Sequence, residues 1–311
     1  PFASSFLQIL LLSLVSGAGS ALISGSDSAL IYDSLKEQKQ EAKIGAVYTK
    51  IGLYYRISLI VATLVAGFMF SLWRGFPHFA RGVVVLAASY FIYLMVEPKL
   101  DSVKFSWAGY FRQTRQGIAE LTKSSYIKKL ALYYVAVAGI SFSCLAYFNQ
   151  PFAYDFGYSP TQMSIITSAA YLFTSLVLYY LTTHDSLLSR KKVYLGFPLL
   201  MSASLLPALL VNKTFAILLM IGAQLAGSAR FSILDKYINK EFSSQNRATA
   251  LSTLNMGVSL AMAILIFLGG KIQGIYDTRH AYLGLGILTL LLIFPLGISL
   301  IREHNRYHSI S

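Results

Sequence analysis

Residues 248–268 read ATALSTLNMGVSLAMAILIFL, and this stretch between Arg247 and Lys271 contains no charged side chain. An apolar block of this length crosses the hydrocarbon core of a bilayer as a helix, and it is too long and too uniformly apolar for a barrel strand. Hydropathy over windows of about 19 residues finds nine such blocks: 5–27, 57–73, 79–97, 130–150, 161–182, 193–211, 214–233, 248–268 and 281–301. The sequence therefore predicts an all-α integral membrane protein with nine transmembrane helices.

Composition excludes an ordinary soluble domain. Of the 311 residues, 55% are apolar and only 13% are charged, about half the charged share usual in globular proteins. The single cysteine, Cys144, excludes a disulfide framework and a cysteine-based metal site. The first block has no basic segment before it, so it is interpreted as a true span rather than a signal peptide.

Lysine and arginine are distributed unevenly between the two sets of alternate connections. One set holds 21 of them and the other holds 5. We call the richer side the basic side; it comprises 33–56, 98–129, 190–192, 230–247 and the C-terminus. Because cytoplasmic loops are enriched in Lys and Arg, this side is predicted to be cytoplasmic, with Pro1 on the opposite side. Topology thus explains the net charge of +13 better than a nucleic-acid partner does.

The longest polar connection, 98–129, carries seven basic residues with interspersed aromatic and aliphatic ones, and predicts an amphipathic linker. Three blocks precede it and six follow. With an outside N-terminus that begins at Pro1, this asymmetry suggests that about three helices are missing from the front. The predicted organisation is the remainder of an N-terminal bundle over 1–97, the linker over 98–129 and a six-helix bundle over 130–311.

Two stretches that end at Asp33 and Asp235, 202 residues apart, resemble each other. Ala21, Gly25 and Ser26 align with Ala223, Gly227 and Ser228, and an arginine, Arg56 or Arg247, opens the next span in each copy. Both stretches close a helix that runs toward the basic side. Parallel repeats of this kind are related by an axis along the membrane normal.

The segment SGSDSALIYDSLK over 24–36, followed by Lys50-Ile51-Gly52 and Arg56, resembles the junction of the fourth and fifth helices of bacterial major facilitator superfamily permeases. RATALS over 247–252 is similar to the opening of their eleventh helix. The resemblance implies helices four to twelve of a twelve-helix transporter in a bacterial inner membrane. It further implies proton-coupled efflux of small organic or drug-like molecules. One departure is that 184–192, where a copy of the family's signature loop is expected, lacks the glycines.

Charged residues suggest two functions. Asp33 with Arg56, and Asp235 with Arg247, are candidate gating pairs at helix ends; the alternative is that they are helix-end charges without such a role, since exposed pairs contribute little. Asp27 lies near the bilayer boundary, where a desolvated carboxylate can carry a proton, so it is the candidate for proton coupling. The alternative is a helix-end residue beside Ser24, Ser26 and Ser28. Arg230, near the end of the seventh block, is expected to extend its side chain toward the interface.

Six polar or aromatic residues inside the blocks are candidates for the wall of a solute cavity. They are Tyr147, Asn149, Gln150, Tyr171, Gln224 and Asn255. Interfacial aromatic belts and amide contacts between helices are the alternatives. No catalytic cluster, metal-ligand spacing or phosphate-binding loop is present in the sequence, so no enzymatic activity and no cofactor are predicted.

The predicted partners are the lipid bilayer, a small-molecule solute and a proton or another coupling ion, with a monomeric state. Three other hypotheses stay open: a solute importer of the same fold, a non-transporting remnant or accessory protein, and a membrane enzyme or lipid-handling protein.

Overall fold

The computed structural model describes residues 2–23, 26–40, 43–95, 106–184, 188–243 and 246–310, and the regular structure within these ranges is entirely helical. The α-helices are α1 (Phe6–Ile23), α2 (Ser26–Glu37), α3 (Ile44–Leu72), α4 (Phe76–Tyr93), α5 (Trp107–Thr122), α6 (Ser125–Ser143), α7 (Asn149–Asp155), α8 (Pro160–Thr183), α9 (Phe197–Leu205), α10 (Lys213–Ala229), α11 (Asp235–Glu241), α12 (Arg247–Ile275), α13 (Thr278–Leu288) and α14 (Phe294–Ile310). Four π-helical turns continue or join them: Cys144–Phe148, Lys192–Gly196, Arg230–Leu234 and Thr289–Ile293.

Seven helical stretches are long and apolar enough to cross a membrane. They are Ala46–Leu72, Phe76–Tyr93, Ser125–Asp155, Pro160–Thr183, Lys192–Leu209, Arg247–Ile275 and Thr278–His304. Two apolar helices, Phe6–Ser20 and Lys213–Ala229, are shorter and correspond to the first and seventh predicted blocks. The predicted all-α membrane fold is confirmed, and each of the nine blocks coincides with helix in the described residues.

The chain forms two compact units. The first contains 1–104 and 160–168. Within it, α3 packs closely on the first turns of α8, because Gly67 lies so near Ser164 that a Cβ would overlap its side chain. The Ser71 and Thr161 hydroxyls are 2.7 Å apart, and Ser168 donates to the Ile60 carbonyl at 3.1 Å. Small residues therefore bring these two helices together, as is usual between helices in membranes.

The second unit contains 105–159 and 169–311. Its core is aromatic: Tyr133, Tyr194, Tyr282, Phe148 and Phe152 are fully buried. Side-chain caps begin several of its helices. Ser106 accepts from the Gly109 amide, Ser124 from the Ile127 amide, Asn212 from the Phe215 amide and Asp277 from the His280 amide. Such caps accept hydrogen bonds from backbone amides of the first helical turn, which have no acceptor within the helix.

Candidate functional site

A stripe of small and polar residues follows one face of α12. Ser252, Asn255, Ser259 and Ala263 recur every three or four residues and are all exposed, and Gly270 continues the same face with partial exposure. We call these five residues the α12 stripe. At about 1.5 Å per residue it extends about 27 Å, close to the thickness of the hydrocarbon core of about 30 Å. The remaining exposed positions of this helix are mostly large and apolar, such as Leu260 and Ile264.

Tyr147 lies beside the end of the stripe that is distant from the basic side. Its hydroxyl is 4.0 Å from the position that a Cβ on Gly270 would take, and 44% of the residue is exposed. The next residue, Phe148, is fully buried, and its ring occupies the space that a Cβ on Gly269 would need. Both aromatic residues lie in the π-helical turn Cys144–Phe148. This turn places Tyr147 beside Gly270 and Phe148 against Gly269 of α12. π-Helical turns occur frequently at functional sites.

At the basic side, the stripe begins in a groove between α5 and α12 with a volume of about 210 Å³. The groove is lined by Tyr110, Gln113, Thr114, Ala248, Thr249, Ser252, Thr253 and Met256. Six of these eight residues carry a hydroxyl or an amide group, and none of them is an acidic or basic residue. A surface of this kind orients an uncharged solute through hydrogen bonds beside apolar contacts.

The six predicted cavity residues separate into two groups in the structure. Tyr147 and Asn255 belong to the surface around the stripe, Gln150 is exposed and Tyr171 is half-buried. Asn149 instead lies in the core, where it accepts a hydrogen bond from the Tyr282 hydroxyl, while Phe152 stacks on Tyr282 at 4.0 Å. Gln224 is also buried, with 2% of its surface exposed. In this conformation Asn149 and Gln224 therefore contact the protein interior.

A family model described as Major Facilitator Superfamily matches residues 130–310, more than half of the chain. The chain belongs to the Major Facilitator Superfamily. Comparison with curated proteins gave no match. The matched range covers the spans after α5, including α12 and its stripe. Membership makes this chain a multi-pass protein of a transporter family, and that family is not one of enzymes.

The predicted gating residues are not all brought together in this facilitator. Asp235 accepts a hydrogen bond from the Tyr134 hydroxyl at 2.5 Å, and the Arg230 guanidinium lies over the Tyr134 ring at 5.2 Å. Arg247 donates instead to the Phe242 carbonyl at 3.4 Å. Among the described residues, no ion pair joins Asp235 to Arg247. We call Tyr134, Arg230 and Asp235 the Asp235 cluster.

Arg230 was expected to extend toward the interface because it lies near a helix end, but its side chain is buried instead. Only 3% of its surface is exposed, and its guanidinium lies 4.3 Å from the centre of the Phe142 ring as well as over Tyr134. Aromatic faces attract a cation more strongly when water is excluded. The π-helical turn Arg230–Leu234 carries this side chain into the bundle.

The other predicted pair lies partly outside the described residues. Helix α2 contains Asp27 and Asp33, but the structure does not describe their side chains. Arg56 is exposed on α3. The pairing of Asp33 with Arg56 and the role of Asp27 therefore stay predictions.

A second polar cluster at the basic side centres on Arg190. Its guanidinium donates to the Tyr126 hydroxyl at 2.8 Å, lies 3.1 Å from Nδ1 of His304 and pairs with Glu241 at 3.6 Å. It also lies over the Tyr237 ring at 5.1 Å. The basic character of 184–192 was visible in the sequence, but these partners are distant along the chain, so sequence reasoning missed the cluster. It joins the basic-side ends of several spans.

Glu120 holds helix α5 against the N-terminal end of α12. This carboxylate accepts from the Ser243 amide at 2.8 Å and pairs with Lys123 at 2.6 Å, and Lys123 also donates to the Glu241 carbonyl at 2.7 Å. Burial opposes ionisation of Glu120, but the hydrogen bonds from Lys123 and Ser243 outweigh it and hold the pKa of the carboxyl below its ordinary value of 4.5.

We expect Glu120→Ala to release α5. The substitution removes the hydrogen bond from the Ser243 amide to a charged acceptor, which costs about 1.5–3 kcal/mol, and trypsin should then cut faster after Arg112 and Arg115. Gln116→Ala, on the exposed side of α5, is the matched control and should leave the cleavage rate unchanged. Because the folded-state pKa of Glu120 is lowered, its contribution is complete above pH 4.5 and is lost as the pH falls through the lower folded value. Equal cleavage of both variants at neutral pH would disprove this contact.

Proposed function

We propose that this facilitator is a secondary active transporter that moves a small organic solute by alternating access, and that the α12 stripe forms one wall of the solute path. The observation that carries this proposal is the stripe itself: Ser252, Asn255 and Ser259 form an exposed polar patch about 10 Å long, and the small residues Ala263 and Gly270 continue the same face of α12. Exposed serine and asparagine side chains are unfavourable against lipid and are expected at a cavity or a helix contact. Alternation of access would expose the stripe first to one side of the membrane and then to the other.

The chemistry of the stripe favours an uncharged or amphipathic solute. Between Arg247 and Lys271, α12 carries no ionisable side chain, while Asn255 and the two serines offer hydrogen bonds. Tyr147 and Met256 add an aromatic and a polarisable apolar surface at the two ends. An ionised solute would find no counter-charge along this wall.

Orientation, direction and coupling form the finer part of the proposal. The excess of Lys and Arg supports a cytoplasmic basic side and C-terminus in a bacterial-type plasma membrane. The resemblance of 24–36 to facilitator permeases supports efflux in exchange for protons, with Asp27 as the proton carrier. Asp27→Asn should abolish acidification-driven export while binding of the solute persists, and export that still responds to the proton gradient would remove Asp27 from this role.

Larger apolar side chains at positions of the α12 stripe should block transport. Ser259→Leu and Asn255→Leu replace hydrogen-bonding groups by branched side chains in the basic-side half of the stripe. Since a polar solute would lose about 1–3 kcal/mol with each lost partner, we expect export of uncharged amphipathic dyes from cells or proteoliposomes to fall at least about fivefold. Ile264→Leu, on a different exposed face of α12, is the control.

Two results would oppose the proposal. If Ser259→Leu and Ile264→Leu exported dye at the same rate as the parent, the stripe would not be on the solute path. If the parent protein were stably folded and bound no solute from a chemically diverse panel, a remnant or accessory role would be favoured instead.

A further inference from the structure

Helix α5 presents three faces with different chemistry. The first face packs on α12: Gly117 is buried, and a Cβ there would overlap the Thr253 hydroxyl and lie 3.0 Å from the Thr249 carbonyl oxygen. Glu120 continues this face toward Ser243. The contacts fix the rotation of α5 about its axis, and therefore determine which side chains face away from the bundle.

The second face is apolar and exposed. Trp107, Phe111 and Ile118 are spaced four and seven residues apart, which places them on one stripe of a helix. Their exposed fractions are 69%, 67% and 51%. The Trp107 and Phe111 rings lie side by side, with centroids 6.5 Å apart. These side chains are large and apolar, so this face favours a non-aqueous environment.

The third face is cationic. Arg112 and Arg115 are both exposed and lie next to the apolar face along the helix. An apolar face rich in Trp and Phe beside a face with arginine is typical of a helix that lies in the interface of a membrane. Arginine also matches the geometry of phosphate better than lysine does.

The contacts with α12 place α5 at the level of the membrane interface. Thr249 and Thr253 lie two and six residues after the start of α12, about 3 and 9 Å along its axis. With 29 residues, α12 is about 43 Å long and exceeds the hydrocarbon core by about 13 Å. Its first turns are therefore expected to lie in the headgroup region, and α5 packs against those turns.

We propose that α5 is a lipid-binding helix, which inserts Trp107, Phe111 and Ile118 into the adjacent leaflet and binds anionic phospholipid headgroups through Arg112 and Arg115. The ligand is a membrane lipid with a negatively charged phosphate headgroup. The proposal concerns a surface outside the α12 stripe and does not depend on transport by that stripe.

Fluorescence of Trp107 tests the proposal directly, because Trp73 is the only other tryptophan. In a Trp73→Phe background, the full chain is reconstituted with equal mole fractions of brominated phosphatidylglycerol or brominated phosphatidylcholine, and aqueous iodide is added separately. We expect strong quenching of Trp107 by brominated lipid, greater for phosphatidylglycerol, and little quenching by iodide.

Arginine variants test the headgroup contact. A basic residue near an anionic surface contributes about 1 kcal/mol, so Arg112→Gln and Arg115→Gln should each lower the apparent affinity for brominated phosphatidylglycerol about fivefold. Arg302→Gln, a change at an exposed arginine of α14, is the matched control and should not alter it. An unchanged melting temperature of each variant shows that the fold is retained.

Three outcomes would overturn the proposal. Quenching by iodide without quenching by lipid would mean that α5 is solvated. Protection from both quenchers would mean that another protein segment covers the apolar face. Equal quenching by the two lipids, unaffected by Arg112→Gln and Arg115→Gln, would show that these arginines do not bind an anionic headgroup.

Discussion

Gly297→Ala is expected to destabilise the second unit severely. A Cβ at this position would overlap the carbonyl oxygen of Tyr194 and lie 3.2 Å from the carbonyl carbon. That carbonyl accepts a hydrogen bond from Tyr133, and both tyrosines are fully buried. Because the obstacle is backbone in a packed core, we expect a loss of about 3 kcal/mol, despite the gain in helix propensity. Thermal unfolding of purified protein in detergent would measure it.

Gly284→Ala is the matched control for this substitution. The nearest atom to its added Cβ is Ile272 Cδ1 at 3.8 Å, which is ordinary contact, so helix propensity should leave the protein equally stable or up to about 1 kcal/mol more stable. If both variants melted at the same temperature, the close approach of α14 to Tyr194 would be wrong.

Asp235→Ala should also have a large effect, because it removes a carboxylate that contacts Tyr134 together with the buried Arg230 cation. Arg230 is 3% exposed and is attracted electrostatically by Asp235. The substitution removes the hydrogen bond from the Tyr134 hydroxyl to a charged acceptor, which costs about 1.5–3 kcal/mol. Arg247→Ala should cost under about 1 kcal/mol, as an exposed charge would, because Arg247 contacts only the Phe242 carbonyl among the described residues.

A double-mutant cycle separates the two possible partners of Asp235. Arg230→Met combined with Asp235→Asn should cost clearly less than the sum of the single changes, because the buried charge is removed together with its partner. Arg247→Ala combined with Asp235→Asn should be additive. Strong coupling of Asp235 to Arg247 and none to Arg230 would favour the gating pair inferred from the sequence over the Asp235 cluster.

The sequence predicted the fold class and the family well because both depend on properties summed over long segments. Apolar blocks such as 248–268 indicate helices whatever their neighbours are, and the motif over 24–36 together with the block order pointed to a facilitator. The helices of the first and seventh blocks are the shorter apolar helices among the described residues, although the sequence predicted them as full spans like the others.

The candidate site depends on rotations of helices that the sequence does not reveal. Tyr147 and Asn149 are two positions apart on an apolar helix, yet one is 44% exposed and the other is 7% exposed and bound to Tyr282. The π-helical turn between 144 and 148 decides which of them reaches the surface. A π-helical turn likewise carries Arg230 inward. Neither turn has a sequence signature comparable to an N-cap serine.

Asn255 was recognised as a candidate, but the stripe to which it belongs was not. Ser252, Ser259 and Ala263 are common residues in packed membrane helices, and their sequence spacing fits a helix contact as well as a solute path. Their exposure in the folded protein is what makes them candidates for the wall of a solute path. Packing of Thr249 and Thr253 on α5 shows which hydroxyls of α12 are used in a helix contact.

Cysteine accessibility along α12 tests the central claim most directly. The only native cysteine, Cys144, is 2% exposed, so the background reaction with a membrane-impermeant thiol reagent should be low. Thiol reagents require the thiolate, which forms only in contact with water. Ser252→Cys, Asn255→Cys and Ser259→Cys should therefore react at least about tenfold faster than Ile264→Cys and Leu268→Cys, and bound solute should slow the first three. Equal, slow reaction at all five positions would contradict a solute path along the α12 stripe.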